Sequence, residues 1–420
     1  MSRLFRFAFF AAAFHSILPG SLHAQAVPAA RKFSVTDFGA SGDGKTKDTA
    51  AIQKAIDACA QAGGGEVDFP PGAYLTGSID LKSHVHLVLP RGTVIQGSGD
   101  PADYPLATAR WEGEEEPAYL ALIRASHAVD IAITGSGVIQ GDPAIGKLRD
   151  PRAPTLIEPI ECKNIRLDGM TLHSNKIWTL HPTYCQDVAI SNLIIQSTGA
   201  NGDGIDPDSC EHVSIDHCSF ETADDNIAIK SGKGQEGVRV GRPSEDITIT
   251  NCTFITGYCS IAFGSELSGG ISNVRISHCF FKQGRCALYL KSRPGRAGYI
   301  KDVTADDLEV GPEPLLDIDI NYKYTPDNQG VPGPAGLTKF QNITITNARI
   351  HGDKAVTVIA TVENPADGIS LSNITGTCVQ PWIFQNATAV TLKDIHVTGF
   401  QADFLSLENT SGTGLDQGNH

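Results

Sequence analysis

The sequence predicts an all-β protein, a single-stranded right-handed parallel β-helix with an N-terminal capping helix. A short motif, apolar-x-apolar followed by a turn residue, recurs from about residue 125 at spacings of roughly 21 to 40 residues, which is the range of solenoid repeats. Each copy alternates with a period of two, as strands do. Glycine is abundant, at 43 of 420 residues, and only 7% of residues are aromatic, which favours a turn-rich β protein over a helical bundle.

The first residues are typical of a secretory signal peptide, residues 1–24. Arg3 and Arg6 form a basic start, and residues 4–18 are largely apolar. A proline and a glycine follow directly, which argues against a retained membrane span. We therefore expect an exported protein, secreted or periplasmic, without membrane association once the signal is removed. Residues 25–420 should form one β-helix domain.

Charge limits the possible partners. The chain has 33 Lys and Arg against 47 Asp and Glu, a formal net charge of −14. This balance argues against a nucleic-acid partner, because phosphate contacts need an excess of basic residues. An acidic protein can still bind an acidic polymer if its basic residues gather in one cleft. We expect a monomer.

One amphipathic helix is predicted near the N-terminus, over residues 46–62. Asp48 is available as its N-cap, and the glycines at 63–65 end it. Its apolar face consists of Ile52, Ala55, Ile56 and Cys59. Because the ends of a solenoid must be capped, we interpret this helix as the lid on the first coil.

Eight copies of the strand motif are clear enough to align. They are NIRLDGM (164–170), DVAISNL (187–193), HVSIDHC (212–218), DITITNC (246–252), NVRISHC (273–279), NITITNA (342–348), GISLSNI (368–374) and AVTLKDI (389–395). His217 and His278 fall in the turn column with Asn192, Asn251 and Asn347, where left-handed backbone is tolerated. They are therefore predicted to be turn residues and not metal ligands.

Ten cysteines in an exported protein first suggest a disulfide framework. The repeat register gives a different interpretation, because two columns of cysteine lie at interior or near-interior positions, where a free cysteine behaves as a small apolar residue. The first column holds Cys218, Cys252 and Cys279, and the second holds Cys162, Cys185 and Cys210. A disulfide between cysteines of the second column is an alternative that the sequence leaves open.

Three aspartates on neighbouring repeats carry the functional signal. Asp203 lies in NGDGIDPDSC (201–210), and Asp224 and Asp225 lie in TADDNIAIKSG (222–232). In register, Asp203 and Asp225 occupy the same place on adjacent rungs, about 4.8 Å apart. Such crowding of like charges raises the pKa of one carboxyl and leaves a proton available. The pattern therefore predicts acid/base hydrolysis.

The aspartates belong to a strip of four aligned segments. These are GDGIDPD (202–208), DDNIAIK (224–230), YCSIAFG (258–264) and RCALYLK (285–291). Asp224 thus stacks with Tyr258 and Arg285. Asp206 and Asp208, in the first segment, are equally compatible with a purely structural role in the turns.

Basic residues also gather in this strip and in the coil that follows. They include Lys230, Lys291 and Arg293. Hydrolysis of a uronide needs cations that hold the sugar carboxylate, and charge-assisted hydrogen bonds from such residues provide them. These residues would supply such a local positive field despite the acidic net charge of the chain.

With these motifs, the sequence resembles glycoside hydrolase family 28, the polygalacturonases and their relatives, over nearly the whole mature chain. The segments that carry the resemblance are residues 33–81, KIWTLHP (176–182), NGDGIDPDSC, ADDNIAIKSG, VGRPSEDITI and FGSELSGG. The resemblance implies a hydrolase of galacturonic-acid-containing pectic polysaccharide that uses no metal and no cofactor.

The resemblance also assigns roles. The Asn-x-Asp motif of the family falls on Asn201 and Asp203, and its Asp-Asp motif on Asp224 and Asp225. Asp224 is then the general acid, and Asp203 and Asp225 activate the water, with inversion of configuration. Stacked rungs lie closer than the separation of about 6.5–9.5 Å typical of inverting enzymes, so the side chains must diverge at the rung edge. Asn201 and His181, which lies in KIWTLHP, are implied to bind substrate.

Two motifs depart from the family pattern. The Gly-His-Gly motif appears as Gly257-Tyr258-Cys259, and the Arg-x-Lys motif as Tyr289-Leu290-Lys291. In the family, that Arg/Lys pair resembles a clamp for the uronate on the leaving-group side, and without the arginine the bidentate fork is lost. Either Arg285 or Arg293 replaces it, or the leaving-group sugar is not a uronate, as in rhamnogalacturonan or a substituted pectin.

We therefore expect seven substrate-binding residues besides Asn201. They are His181, Lys230, Tyr258, Arg285, Tyr289, Lys291 and Arg293.

Two other functions stay open for the same fold. One is a Ca²⁺-dependent lyase like the pectate lyases, and the other is a non-catalytic pectin-binding solenoid, which the two departures from the motifs favour. Endo or exo action depends on loops that close the cleft. Residues 101–117, with the acidic run 112–116, would form either such a wall or a solvated surface loop.

Overall fold

The computed structural model describes residues 31–174, 176–322 and 329–416, and the predicted signal peptide, residues 1–24, lies outside these ranges. Short strands separated by turns make up most of the described chain. In order they are β1 (Lys32–Ser34), β2 (Asp43–Lys47), β3 (Gly65–Asp68), β4 (Gly72–Thr76), β5 (Ile79–Leu81), β6 (Val85–Val88), β7 (Thr93–Gly97), β8 (Leu106–Trp111), β9 (Glu114–Tyr119), β10 (Ile123–Ser126), β11 (Val129–Thr134), β12 (Val138–Gln140), β13 (Ile157–Ile160), β14 (Lys163–Asp168), β15 (Thr171–Ser174), β16 (Gln186–Ser191), β17 (Ile194–Ser197), β18 (Glu211–Asp216), β19 (Ser219–Glu221), β20 (Ile227–Ile229), β21 (Ser244–Thr250), β22 (Thr253–Thr256), β23 (Ile261–Phe263), β24 (Ile271–Phe281), β25 (Leu288–Lys291), β26 (Tyr299–Val310), β27 (Leu316–Asp319), β28 (Lys339–Gly352), β29 (Val356–Ile359), β30 (Ala366–Cys378), β31 (Trp382–Thr398) and β32 (Leu405–Thr413).

Apart from β8 and β9, the described strands pair in parallel with the equivalent strand of a neighbouring coil. One series runs β14, β16, β18, β21, β24, β26, β28, β30, and another runs β20, β23, β25, β27, β29. In all, 27 strands form one continuous network of parallel pairings. Parallel strands that stack in several columns along one axis define a parallel β-helix, so the predicted fold is confirmed.

Apolar columns fill the interior of the coil. The register pairs Ile165 with Val188, Val188 with Val213, Val213 with Ile247, and Ile247 with Val274. Each of these side chains is at most 2% exposed. Burying one such side chain contributes about 1.5–3 kcal/mol, and the column repeats along the solenoid, which stabilises each rung on the previous one.

The cysteine columns are also interior. Cys279 pairs with Leu308 on the next rung, as the aligned repeats predict. All ten cysteines are buried and free, so the second column contains no disulfide. The thiols also hydrogen bond between rungs, as where the Cys185 amide donates to Cys210 Sγ at 3.4 Å.

The predicted turn column adopts left-handed backbone. His217 and His278 have φ of 52° and 54°, and Asn192 and Asn251 have φ of 56° and 55°. Asparagine tolerates this region because its side chain can hydrogen bond locally. The Asn192 side-chain amide donates to Asp168 Oδ1 on the preceding rung at 2.8 Å. The prediction that the two histidines are turn residues is confirmed.

The N-terminal helix α1 spans Thr49–Gln61, so it begins three residues later and ends one residue earlier than predicted. Its buried face is the predicted one, and it packs against β1, β3, β5 and β6. The expected N-cap bond does not form. Asp48 precedes the helix, but its carboxylate instead accepts from the amides of Ser41 and Gly42, at 2.7 and 3.0 Å.

Three departures from the simple coil were not predicted. Residues 101–117 do not form an irregular loop, because a 3₁₀ turn (Pro101–Asp103) is followed by the antiparallel pair β8 and β9, here called the hairpin. A second helix, α2 (Gly234–Val240), follows β20. Other 3₁₀ turns lie at Val35–Phe38 and Pro334–Gly336. Among the described residues, no helix is long and apolar enough to cross a membrane.

Candidate active site

A polar cleft of about 390 Å³ opens over the rungs that carry β20, β23 and β25. Acidic side chains and two lysines dominate its walls. The lining residues are Glu112, Trp178, Asn201, Asp203, Asp224, Asp225, Lys230, Ser265, Glu266, Lys291 and Tyr322. All three predicted catalytic aspartates are among them.

The backbone register brings these aspartates together. Ile205 pairs with Ile227 on the next rung, so Asp203 and Asp225, two residues earlier, occupy equivalent positions one rung apart. Asp224 precedes Asp225, and its Oδ1 accepts from the Asp225 amide at 3.0 Å. Because adjacent parallel strands lie about 4.8 Å apart, the three carboxyls share one part of the cleft. We call Asp203, Asp224 and Asp225 the carboxyl cluster.

Two members of the carboxyl cluster, Asp203 and Asp224, have raised pKa values. Burial, followed by the charges of Asp203 and Asp225, raises the pKa of Asp224 to about 8. Burial, followed by the charge of Asp206, raises the pKa of Asp203 well above its ordinary value. A general acid must be protonated at the working pH, and Asp224 meets this condition near pH 7.

Two buried lysines offset the negative charge. Lys291 Nζ lies 2.5 Å from Asp225 Oδ2, and Lys230 Nζ lies 3.5 Å from Asp203 Oδ2 and 3.3 Å from Asp206 Oδ1. Burial disfavours the charged form of both lysines, but neighbouring carboxylates outweigh it and raise the pKa of each ammonium well above its usual value. Both lysines therefore line the cleft as predicted, and both are engaged in ion pairs there.

Asn201 faces the cleft with an unused acceptor. Its side-chain Oδ1 is buried and has no hydrogen-bond partner within the protein. A buried carbonyl oxygen without a partner is costly, and a sugar hydroxyl in the cleft would satisfy it. This agrees with the predicted substrate-binding role of Asn201.

The prediction that His181 binds substrate directly is wrong. Its ring is fully buried, with Nδ1 3.2 Å from Glu158 Oε1 and Nε2 3.1 Å from Thr183 Oγ1. The ring lies edge-on to Trp178, with centroids 4.7 Å apart. His181 therefore supports the floor of the cleft beneath Trp178, and no face of its ring remains for a sugar.

Asp208 has a structural role. Its carboxylate accepts from Arg110 Nε at 2.7 Å and from Arg110 Nη2 at 3.4 Å, with both residues buried. Burial alone would raise the pKa of Asp208, but the charge of Arg110 and hydrogen bonds from His181 and Arg110 lower it well below its usual value. This bidentate pair fastens the hairpin to the rung that also carries Asp203. Asp206, fully buried and next to Lys230, likewise lies outside the cleft lining.

The hairpin forms one wall of the cleft. At its tip Glu112 lines the cleft, and the Glu112 carboxylate pairs with Arg149. Burial, followed by the charge of Glu266, raises the pKa of Glu112. Within residues 101–117 Glu112 thus lines the cleft, whereas Leu106, Glu114 and Glu115 are exposed to solvent.

The two tyrosines that depart from the motifs, Tyr258 and Tyr289, do not line the cleft. Tyr258 is 43% exposed, whereas Tyr289 is only 1% exposed. The prediction that Tyr289 contacts substrate is wrong, because its ring lies beneath the Arg285 guanidinium, with Cζ 4.0 Å from the ring centroid. Arg293 is partly buried in the turn after β25 and does not line the cleft.

Sequence reasoning missed five lining residues. They are Glu112, Trp178, Ser265, Glu266 and Tyr322. Trp178 lies in KIWTLHP, and Ser265 and Glu266 lie in FGSELSGG. Both segments were recognised as family motifs, but the motifs alone did not show which of their residues line the cleft. Glu112 is the first residue of the acidic run. No pattern marked Tyr322, because it follows β27 in an irregular segment.

The fold and the cleft define a parallel β-helix protein with an acid/base site on one of its sheets. The family model described as glycosyl hydrolases family 28 matches residues 59–399. The chain therefore belongs to glycosyl hydrolase family 28.

Individual relatives agree with this assignment. The chain is 34% identical over 293 residues to a probable polygalacturonase of Vitis vinifera, covering 65% of this chain and 60% of that relative. It is 29% identical to an exo-poly-alpha-D-galacturonosidase of Dickeya chrysanthemi, covering 65% and 54%. The chain thus spans little more than half the length of these curated relatives. An exopolygalacturonase structure from Thermotoga maritima matches with a TM-score of 0.79 and 28% identity, covering 88% of this chain and 92% of that one.

Proposed function

We propose that this protein hydrolyses glycosidic bonds of galacturonic-acid-containing pectic polysaccharide. The observation that carries the proposal is a carboxyl with a pKa of about 8, that of Asp224, next to a second carboxyl, Asp225, that is ion-paired with Lys291 at 2.5 Å. One carboxyl holds a proton and its neighbour is paired with a buried ammonium, which is an arrangement that suits acid/base hydrolysis of a glycoside.

In the proposed mechanism, Asp224 donates its proton to the glycosidic oxygen as the bond to the leaving sugar breaks. A water molecule attacks the anomeric carbon from the opposite face and gives its proton to a carboxylate. Asp225 is the best candidate for that carboxylate, because Lys291 Nζ donates a hydrogen bond to its Oδ2 at 2.5 Å. Asp203, whose pKa burial and Asp206 raise, orients the water. Attack from the opposite face inverts the anomeric configuration.

The names of the relatives support galacturonan as the substrate class. The matched proteins are called polygalacturonase, exo-poly-alpha-D-galacturonosidase and exopolygalacturonase. A rhamnogalacturonan or substituted pectin is the second candidate, which Tyr289 favours because it stands where the family pattern has an arginine.

We also propose that the mature protein is exported, to the periplasm or the medium, and works as a monomer. The basic and apolar pattern of residues 1–24 supports export. Fractionation of cells with N-terminal sequencing of the recovered protein tests it, and a mature chain that still begins at Met1 in the cytoplasm would contradict it. Size-exclusion chromatography with light scattering tests the monomer.

Product analysis on homogalacturonan and rhamnogalacturonan, side by side, tests the proposed activity. We expect new reducing ends on homogalacturonan with wild-type protein and none with Asp224→Asn. Cleavage restricted to rhamnogalacturonan would select the second candidate. A variant that matches wild type on every substrate would show that the site is elsewhere.

The same digests separate the other two functions. Products that absorb in the ultraviolet, formed in a reaction that chelator abolishes, would identify a lyase. Tight binding of pectin without any reducing ends after long incubation would identify a binding solenoid.

A further inference from the structure

Two further carboxyl groups line the cleft at the other end of its short strands from the carboxyl cluster. Asp225 lies two residues before β20, whereas Glu266 lies three residues after β23. Glu112 lies at the tip of the hairpin, where a Cβ added to Gly113 would lie 2.5 Å from Lys233 Cβ, just after β20. Both glutamates line the cleft and are 7% exposed. We call Glu112 and Glu266 the acidic edge.

The hairpin presents Glu112 in a backbone conformation that glutamate rarely adopts. Trp111 pairs with Glu114, so Glu112 and Gly113 form a two-residue turn. Both have positive φ, 47° and 75°, as a type I′ turn requires, and such turns favour Asn, Asp and Gly. A glutamate that is held in this region and also lines a cleft indicates a role for its side chain there.

The cations near the acidic edge are shared among several carboxylates. Arg149 pairs with Glu112 and also with Glu116. Lys230 and Lys291 both pair with members of the carboxyl cluster. The cleft lining holds five carboxyl groups and two lysines, so it stays acidic even when two of the carboxyls carry protons. A sugar carboxylate beside the acidic edge would therefore meet like charge, which opposes binding.

The same cleft contains polar atoms that a sugar hydroxyl would satisfy. Trp178 is 1% exposed and lines the cleft, and its Nε1–H is buried with no hydrogen-bond partner among the described residues. A hydroxyl both donates and accepts, so it can pair with an indole N–H and with a carboxylate. An ionised sugar carboxylate only accepts, so it cannot donate to Glu112, Glu266 or Asn201. The chemistry of the lining thus favours hydroxyl groups over a second carboxylate.

We propose that Glu112 and Glu266 bind hydroxyl groups of the sugar in the cleft and exclude a sugar carboxylate from this edge. The sugar that lies there is therefore uncharged, either a methyl-esterified galacturonate or a neutral sugar such as rhamnose. This inference rests on the proposed function and names the class of substrate within the pectic polysaccharides. Glu112 is then a specificity-determining residue that the hairpin contributes.

Matched substrates and variants test this role. Wild type, Glu112→Gln and Glu266→Gln would be compared on trigalacturonate, on its methyl ester and on a rhamnogalacturonan oligosaccharide. Glutamine keeps an acceptor oxygen and removes the charge. Glu115→Gln is the matched control, because Glu115 lies on the same hairpin but is exposed and does not line the cleft. Thermal unfolding of each variant would verify the fold.

Glu112→Gln should change kcat/KM in opposite directions on the two forms of the trisaccharide. On trigalacturonate it should rise about 10-fold, because one like charge no longer opposes the sugar carboxylate. On the methyl ester it should fall about threefold, because a neutral acceptor binds a hydroxyl less strongly than a carboxylate does. Glu266→Gln should shift the preference in the same direction, and it decides the question if Glu112→Gln does not fold. Glu115→Gln should match wild type.

A purely structural role for Glu112 would lower kcat/KM on acid and ester together, and this result would overturn the proposal. So would a wild-type protein that cleaves trigalacturonate faster than both uncharged alternatives. Faster cleavage of the ester than of the rhamnogalacturonan oligosaccharide would support the proposal with an esterified galacturonate at the acidic edge. The reverse order would support it with a neutral sugar there.

If wild-type protein cleaves none of these substrates, the proposed function fails, but the acidic edge can still be tested. Calorimetric titration of trigalacturonate and of its methyl ester into wild type and into Glu112→Gln would then decide. Tighter binding of the ester by wild type, with the preference lost in Glu112→Gln, would support the acidic edge on its own. Equal affinity for acid and ester, or no binding of either, would refute it.

Discussion

Replacing Asp224 by asparagine should stabilise the protein at alkaline pH. Burial and the charges of Asp203 and Asp225 raise the folded-state pKa of Asp224 to about 8, against 3.8 for an ordinary aspartate. A carboxyl with a raised folded pKa binds its proton more tightly in the folded state, so its contribution is fully present below pH 3.8 and is lost as pH rises through 8. Asparagine does not ionise, so the stability of the variant does not fall over this pH range for this reason.

The magnitude follows from the pKa shift. A rise of about 4 units corresponds to at most about 5–6 kcal/mol, since each unit is worth 1.36 kcal/mol. Burial is the largest cause of this shift and the charge of Asp203 the second, so removing the Asp224 carboxyl relieves only part of the repulsion in the cluster. We expect Asp224→Asn to raise the free energy of unfolding by about 2 kcal/mol at pH 8.5, and to change it little at pH 4.

Urea unfolding at these two pH values measures the effect. Asp216→Asn is a control of opposite sign. Burial tends to raise the pKa of Asp216, but hydrogen bonds from Asn251 and Thr250 outweigh it and lower the pKa to about 2. Asp216 therefore stabilises the fold above the ordinary carboxyl pKa, and its replacement should destabilise the protein at pH 8.5. If Asp224→Asn is no more stable than wild type at pH 8.5, the crowding of the cluster is refuted.

Three further predictions concern the cleft. The kcat/KM of wild type should fall as pH rises through about 8, because Asp224 then loses the proton it donates; a pH–rate profile that stays flat to pH 10 would contradict its role as the acid. Arg110→Ala leaves the Asp208 carboxylate buried and unpaired, which should cost about 3 kcal/mol in urea unfolding. The same variant should lower kcat/KM, because the ion pair that joins the hairpin to the rung of Asp203 is lost. A variant as active and as stable as wild type would contradict this role of the hairpin. Lys291→Met removes the ammonium that pairs with Asp225, so kcat should fall by about 100-fold; unchanged kcat at equal protein stability would contradict a role of this ion pair in catalysis.

The repeating parts of the molecule could be predicted because all copies of the motif adopt the same local structure, so aligned residues occupy equivalent positions. Stacked rungs must match in register, so the left-handed turns at Asn192 and His217, the interior cysteines and the neighbouring Asp203 and Asp225 all follow from alignment alone. The period of the repeat is therefore enough to predict these positions, and the structure confirms them.

The non-repeating parts could not be predicted in the same way. The wall depends on Arg110, which pairs with Asp208 98 positions later in the chain, and no local pattern reports such a contact. The burial of the His181 and Tyr289 side chains was missed for a different reason. Successive residues in a strand point to opposite sides, and neighbouring side chains then cover one another, so alignment gave their rung but not their exposure.

The stereochemistry of the first product tests the proposed catalysis most directly. Neighbouring rungs lie about 4.8 Å apart, close to the carboxyl separation of retaining enzymes, whereas inversion requires about 6.5–9.5 Å. Proton NMR of the anomeric signals during early hydrolysis of trigalacturonate distinguishes the two. We predict that the product first appears with the anomeric configuration opposite to that of the cleaved bond, and that Asp224→Asn gives no product. First appearance of the retained anomer, or turnover by the variant at the wild-type rate, would contradict direct attack of water assisted by the carboxyl cluster.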